Sequence, residues 1–350
     1  MRLLVTGAAG FIGTNFVRQA LGADGGPTRH VERLVAVDLL TYAGNFANLA
    51  DLTTDPRFRF ARLDIAARES MRELLRDEGI EVVVNFAAET HVDRSIVDQT
   101  PFLHTNVHGT LALLDAARDV GGLRRFLQVS TDEVYGSIAQ GRATEAWPAR
   151  PSSPYAASKT AADAFVQAYA TTFELPAVIT RCSNNYGPYQ FPEKLIPLFV
   201  TNALDGEPLP LYGDGQNVRD WIHVSDHCEA LWHILALPEG RGEVWNVSAG
   251  SERPNRTVTD AILALTGGPR ELVRYISDRP GHDRRYALDA SRLCASGWAP
   301  RRTFEEGLAE TVEWYRTHRS WWEAVKSGAY RDDYQARYRD RLRAAEAVGR

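Results

Sequence analysis

Short apolar runs and amphipathic stretches alternate through the first half of the chain. Leu3 to Thr6 is a compact apolar run, followed by a glycine-rich turn and an amphipathic segment from about Ile12 to Leu21. Further strand-like runs lie at Arg33–Val37, Phe58–Leu63, Glu81–Phe86, Arg125–Ser130 and Ala177–Arg181. Helical spacing covers 68–78, 101–120 and 154–173 between them. Strands alternating with helices predict an α/β fold with a doubly wound parallel sheet of Rossmann type over residues 1–184.

After Asn184 the alternation stops. Pro188, Pro192, Pro197, Pro208, Pro210 and the pair Gly213 and Gly215 mark loops. Residues 185–330 read as a smaller mixed α/β substrate-binding domain, with some segments returning to the first. Residues 331–350, rich in Arg, Asp, Tyr and Ala, read as a peripheral helical tail.

Composition narrows the function. Of 350 residues, 44% are hydrophobic, enough for a sizeable core and against a disordered chain. The net charge of -5 argues against nucleic acid as the main partner. No apolar run reaches the ~18 residues of a membrane span, and the start of the chain lacks a secretory pattern. Cys182, Cys228 and Cys294 show no C-x-x-C spacing, so neither a disulfide framework nor a zinc knuckle is implied and a reducing cytoplasm is expected. Only Lys159, Lys194 and Lys326 are lysine among 40 basic residues. A chain that almost always writes arginine keeps lysine where a compact, tunable charge is needed.

Gly7-Ala-Ala-Gly10-Phe-Ile-Gly13 follows a strand and opens a helix. In that context the glycines let backbone approach a pyrophosphate at a helix N-terminus. Asp38 closes the second strand, where a carboxylate accepts from a ribose diol and repels a 2′-phosphate, favouring NAD over NADP. Asp64 ends the third strand and is a candidate for the adenine.

Tyr155-Ala-Ala-Ser-Lys159 places a phenol and an ammonium on one helix face. The lysine is expected to lower the phenol pKa and ready it as a base. The preceding strand ends in Thr131, Asp132 and Glu133, at the edge that faces the ligand crevice. Thr131 could share a substrate hydroxyl proton with Tyr155. Hydride chemistry needs no carboxylate pair, so Asp132 and Glu133 point to a second proton transfer, one group as acid and the other as base.

Several features read as structural. His104 and His108, and His223 and His227, are four apart but lack H-E-x-x-H or a cysteine cluster, so no metal is expected. Trp321 and Trp322 read as a packed helix face, and Cys182 as a small buried residue.

Taken together, these strings resemble the extended short-chain dehydrogenase/reductase superfamily, and within it the dTDP-glucose 4,6-dehydratases. The resemblance runs from Gly7 to about Tyr330. It is carried by Thr41-Tyr-Ala-Gly-Asn45, Ala87-Ala-Glu-Thr-His-Val-Asp-Arg-Ser95, Ser130-Thr-Asp-Glu-Val-Tyr-Gly136 and Ser153-Pro-Tyr-Ala-Ala-Ser-Lys159. Asn184-Asn-Tyr-Gly-Pro-Tyr189, Pro192-Glu-Lys-Leu-Ile-Pro197 and Asp278-Arg-Pro-Gly-His-Asp-Arg-Arg285 extend it. Thr90 stands where the family reads serine, which keeps the hydroxyl, and Ala9 varies the glycine motif.

The resemblance implies a lyase that dehydrates dTDP-glucose to the 4-keto-6-deoxy sugar, for deoxysugar biosynthesis. The string from Leu209 to Arg219 and the arginine-rich composition look more like antibiotic-pathway members. Tyr155, assisted by Thr131 and Lys159, would take the 4-hydroxyl proton, Glu133 the C5 proton, and Asp132 would protonate the leaving 6-hydroxyl. NAD would contact Phe11, Ile12, Asp38, Leu39, Leu40, Thr41, Asp64 and Ile65. It would also contact Ala87, Ala88, Glu89, Thr90, Thr105, Tyr155, Lys159 and Asn185. The sugar nucleotide would contact Thr90, Thr131, Asn184, Lys194, Leu195, Pro210, Leu211, Tyr212, Arg219 and Asn255, with Asp278, Arg279, Pro280, Gly281 and His282. A homodimer through a four-helix bundle over 101–120 and 154–173 is also implied. The competing readings are a 4-epimerase or UDP-sugar dehydratase on the same scaffold, and a non-catalytic NAD-binding protein.

Overall fold

The computed structural model describes residues 1–24, 29–238, 240–327 and 329–347. Its strands through the first half are β1 (Arg2–Thr6), β2 (Arg33–Asp38), β3 (Phe58–Arg62), β4 (Val82–Asn85), β5 (Arg125–Thr131) and β6 (Ala177–Cys182). The rest are β7 (Asn184–Tyr186), β8 (Leu209–Tyr212), β9 (Val218–His223), β10 (Glu243–Val247), β11 (Glu252–Pro254) and β12 (Val273–Ile276). The helices begin with α1 (Phe11–Leu21), α2 (Arg68–Asp77), α3 (Val92–Val97), α4 (Thr100–Phe102), α5 (Thr110–Val120) and α6 (Pro154–Thr172). They continue with α7 (Leu195–Asp205), α8 (Val224–Ala236), α9 (Asn255–Thr266) and α10 (Ser291–Ala295), then α11 (Phe304–Thr317), α12 (Arg319–Val325) and α13 (Ala329–Ala347).

Seven parallel strands form the main sheet in the order β10-β6-β5-β4-β1-β2-β3. The chain winds outward from β1 to β3, then returns to β4 and winds the other way. The reversal between β1 and β4 opens a crevice at the carboxyl ends of the strands, where α/β sheets bind ligands. Alternate strand residues feed two apolar layers. Leu3 and Val5 pack with Phe16 of α1 and Trp232 of α8 on one face. Leu4 and Val83 pack with Leu113 of α5 and Val166 of α6 on the other. Both faces are covered, which is why the strands read as continuous apolar runs.

The helix expected over 101–120 is interrupted. Between α4 and α5, residues Leu103–Gly109 form a π-helix. Its wide turns place Thr105 on the cavity wall and direct Asn106 to the Glu89 backbone and the Ser158 hydroxyl. The short helix α3 lies in a stretch given no element by the apolar pattern. A second core of Phe199, Val258, Ile262, Leu308, Tyr315 and Trp322 supports the sheets β11-β9-β7 and β12-β8. Helix α11 opens on a capping box between Thr303 and Glu306. Among the described residues no helix is long and apolar enough to cross a membrane.

Candidate active site

One cavity of about 420 Å³ follows the carboxyl ends of the main sheet and continues into the smaller sheets. Its cofactor side begins at the glycine turn. A side chain at Gly7, whose φ is +62°, would lie 2.7 Å from the Ala87 backbone, and one at Gly13 only 2.2 Å from the Gly7 carbonyl. The turn is therefore pressed against β4 and α1. No side chain caps α1 at Gly10, so its first-turn N–H groups remain available to an anion. Asp38 accepts from the N–H of Ala9 at 2.9 Å and of Leu40 at 2.8 Å, which fixes its carboxylate beside this turn. Burial raises the Asp38 pKa, against those two bonds. Asp64 accepts from the Ala66 N–H at 2.9 Å and pairs with His104 at 2.9 Å. These groups fit a dinucleotide: an open helix N-terminus for its phosphates and a fixed carboxylate for a ribose.

The opposite wall holds the reactive groups. Thr131 ends β5 and its hydroxyl meets Asp132 at 3.2 Å. Burial first, then Glu133 and Asp220, push the Asp132 carboxyl well above the usual range. Its Oδ2 is buried with no hydrogen-bond partner. Burial also raises Glu133, but Arg279, Lys194 and Arg219 pull against it. Both carboxyls are thus raised by burial and differ in what faces them: other carboxylates press on Asp132, while three cations offset part of the rise at Glu133.

Tyr155 and Lys159 lie at the start of α6, buried against the same wall. The expected lowering of the phenol by Lys159 is not what the structure displays. Burial and Glu133 hold the Tyr155 phenol well above its ordinary value, with the Thr131 hydroxyl bond opposing. Lys159 donates to the Val129 carbonyl at 2.8 Å instead. Burial lowers the ammonium, opposed by Asp163 one turn on.

The far side of the cavity is lined by Asn184, Lys194, Leu195, Pro210, Leu211, Tyr212, Arg219, Asn255, Arg279 and His282, all expected to contact the sugar nucleotide. Lys194 donates to the Thr90 carbonyl at 2.8 Å. Arg279 pairs with Asp93 at 2.8 Å and its Nε is buried without a partner. Arg219 lies 4.3 Å from the Tyr286 ring centroid. Three cationic side chains therefore converge in a net-acidic protein, as a diphosphate requires.

Four expected contacts are off the wall. Leu40 packs against the main core with φ at 60°, its N–H engaged by Asp38. Asp278 stands behind His282, accepting from its Nδ1 at 2.5 Å. Pro280 and Gly281 shape the turn between Arg279 and His282 and do not line the cavity. Conversely, Tyr42, His91, Asp93, Glu193, Tyr286 and Tyr338 line it and were given no role. All but two of them sit in the strings quoted above; Tyr286 follows one directly, so that neighbourhood was the available signal. Tyr338 lies in the tail, where Arg341 also donates to the Tyr212 hydroxyl at 2.9 Å.

A family model described as GDP-mannose 4,6 dehydratase matches residues 4–311. A dTDP-glucose 4,6-dehydratase of an Actinoplanes species is 51% identical over 92% of this chain and 100% of its own length. The chain belongs to the dTDP-glucose 4,6-dehydratase family. Another dTDP-glucose 4,6-dehydratase, from Streptomyces venezuelae and solved with NAD bound, superposes with a TM-score of 0.88 at 51% identity, covering 93% of this chain and all of its own. A UDP-glucose 4-epimerase from Thermus thermophilus, also solved with NAD, gives 0.82 at 34% identity, with 91% and 100% covered. The dTDP-glucose 4,6-dehydratase family thus shares its scaffold with an enzyme named for a different reaction.

Proposed function

We propose that this chain dehydrates dTDP-glucose to dTDP-4-keto-6-deoxyglucose, using NAD as a resident catalyst. The observation that carries this reading is the carboxyl pair Asp132 and Glu133 at the end of β5, on one cavity wall with Thr131, Tyr155 and Lys159, with Glu133 turned to the cations Arg279, Lys194 and Arg219. The Gly7–Gly13 turn, Asp38 and the Ala87–Thr90 strand end would hold NAD, which would supply an acceptor for the C4 hydride and a donor for C6. Tyr155, once ionised beside the positively charged nicotinamide of the bound cofactor, receives the 4-hydroxyl proton, with the Thr131 hydroxyl bonded to its oxygen. The resulting 4-keto group acidifies C5, and Glu133 removes that proton. Asp132 gives its proton to the departing 6-hydroxyl, and water leaves. Glu133 returns a proton to C5, and release of the Tyr155 proton with reprotonation of Asp132 resets the site. Lys194, Arg219 and Arg279 hold the diphosphate, and Asn184, Tyr212, Asn255 and His282 orient the rest.

The main sheet then serves the cofactor and residues 185–330 mainly the sugar nucleotide. The exposed side chains of Val97 and Leu103 flank the helices over 101–120 and 154–173, and we assign that face to a homodimer in the cytoplasm. Sedimentation as a monomer at micromolar concentration would refute the dimer.

The test is incubation with dTDP-glucose in heavy water, followed by mass spectrometry. Loss of one water with gain of one deuterium at C5 is expected. An isomer of unchanged mass would assign an epimerase instead. Conversion of UDP-glucose alone would move the assignment to another nucleotide.

A further inference from the structure

We propose that Tyr42 and Glu193 form a clasp between the two walls of the cavity that retains the cofactor between hydride transfers. The inference rests on the cofactor reading above. In that reaction the reduced cofactor must stay until C6 accepts its hydride. Loss at that moment would strand the keto sugar on an enzyme with nothing to reduce it.

Tyr42 lies on the loop after Asp38, between Leu39 and Gly44, all on the cavity wall. Glu193 comes from the far side, beside Lys194 on the sugar-nucleotide wall. The Tyr42 hydroxyl donates to Glu193 Oε1 at 3.0 Å. Burial and the adjacent Glu193 keep that phenol protonated, hence a donor, with Glu89 adding to the effect. The Arg94 guanidinium carbon sits 3.7 Å from the Tyr42 ring centroid, a desolvated cation–π contact. Phe191 meets the same ring edge-on at 5.6 Å and 90°. His91 Nε2 is 3.7 Å from the other Glu193 oxygen. Three chain segments, from the cofactor loop, from β4 to α3, and from the approach to α7, therefore close on one phenol. None of these contacts touches the groups assigned to proton transfer. A ring held in this way ties the loop after Asp38 on the cofactor side to the segment before α7 on the other wall of the cavity.

The test measures cofactor loss, not only turnover. Holoprotein, Tyr42→Phe, Glu193→Leu and the double variant are moved into cofactor-free buffer, and bound NAD is quantified over time. Tyr42→Phe keeps the ring and its stacking, so folding is preserved and only the hydrogen bond is lost. Each single variant is expected to release NAD about tenfold faster, the scale of a hydrogen bond to a charged group. The double variant should release it no faster than Glu193→Leu, because once Glu193 is gone Tyr42→Phe has no bond left to remove. Turnover of the variants should fade in cofactor-free buffer and return on adding NAD, with thermal melting of the NAD-saturated proteins unchanged. Release as slow as in the parent, or single effects that multiply in the double variant, would overturn the clasp alone. A parent protein that holds no NAD and gains nothing from added NAD would overturn both the clasp and the cofactor reading.

Discussion

Asp132 and Glu133 are adjacent in sequence, yet only Glu133 faces the cations Arg279, Lys194 and Arg219 as its main counterweight to burial. Asp132 instead faces Asp220 and Glu133 as well as Arg219. The chemistry of the site follows from that asymmetry. Replacing either carboxyl should leave C4 oxidation intact and block elimination. We expect Glu133→Gln and Asp132→Asn to lower turnover by about 10²–10⁴, the usual contribution of a general acid or base. Both should accumulate NADH absorbance on adding dTDP-glucose. Unimpaired product formation by either would refute its role.

Tyr155→Phe should fail one step earlier. With no acceptor for the 4-hydroxyl proton, NADH should not accumulate, and turnover should fall by about 10²–10⁴. Stopped-flow absorbance separates this variant from the carboxyl pair.

The rate should depend on pH through both carboxyls. Glu133 must be ionised, and its pKa is raised, so activity should fade on acidification at a pH above the ordinary glutamate value of 4.5. Asp132 must be protonated, and burial with its carboxylate neighbours raises its pKa, so activity should fade on the alkaline side as it ionises. A turnover profile in Asp132→Asn should lose the limb that belongs to Asp132.

Asp163 and Arg181 form an ion pair at 2.9 Å with side chains 2% and 8% exposed. The Arg181 guanidinium also lies 4.8 Å from the Tyr135 ring centroid. Asp163→Asn would leave a buried guanidinium without its counter-charge. We expect a loss of about 3–5 kcal/mol, read from chemical denaturation. The same change removes the carboxylate that supports the Lys159 charge, so the pH profile should shift along with stability.

His227 is fully buried, and burial lowers its pKa from 6.5 to about 3. Its Nδ1 pairs with Asn185 at 2.8 Å. A depressed histidine contributes stability that is complete above the unfolded value and lost as pH falls toward the folded one. Acidification from pH 6.5 to 5 should therefore cost about 2 kcal/mol through this residue alone. His227→Gln should flatten that part of the denaturation curve.

The alternation of the first half was legible because buried parallel strands leave a strong apolar signature and each helix hides one face. The glycine turn, Asp38 and the Tyr155–Lys159 pair were legible because local geometry fixes their meaning. Tyr42, Glu193 and Tyr286 were not, since their positions depend on contacts between segments far apart in sequence. The π-helix at Leu103–Gly109 escaped for a related reason: its cause is the tertiary anchoring of Asn106, not the propensity of its residues. The direction of the Tyr155 shift also required three dimensions. Four residues of spacing bring Lys159 to the right face, but the Val129 carbonyl and the depth of burial decide what its charge does.

Strand β10 hydrogen-bonds along β6, at the end of the main sheet, although residues 183–242 separate them in sequence. During translation the cofactor-binding half therefore emerges with β6 as an unpaired edge, and remains so until residue 247 has left the ribosome. An exposed apolar edge of that kind recruits other strands. The two halves are consequently sewn together by the order of synthesis: a chain cut after residue 184 would carry the cofactor motifs and still be prone to aggregate.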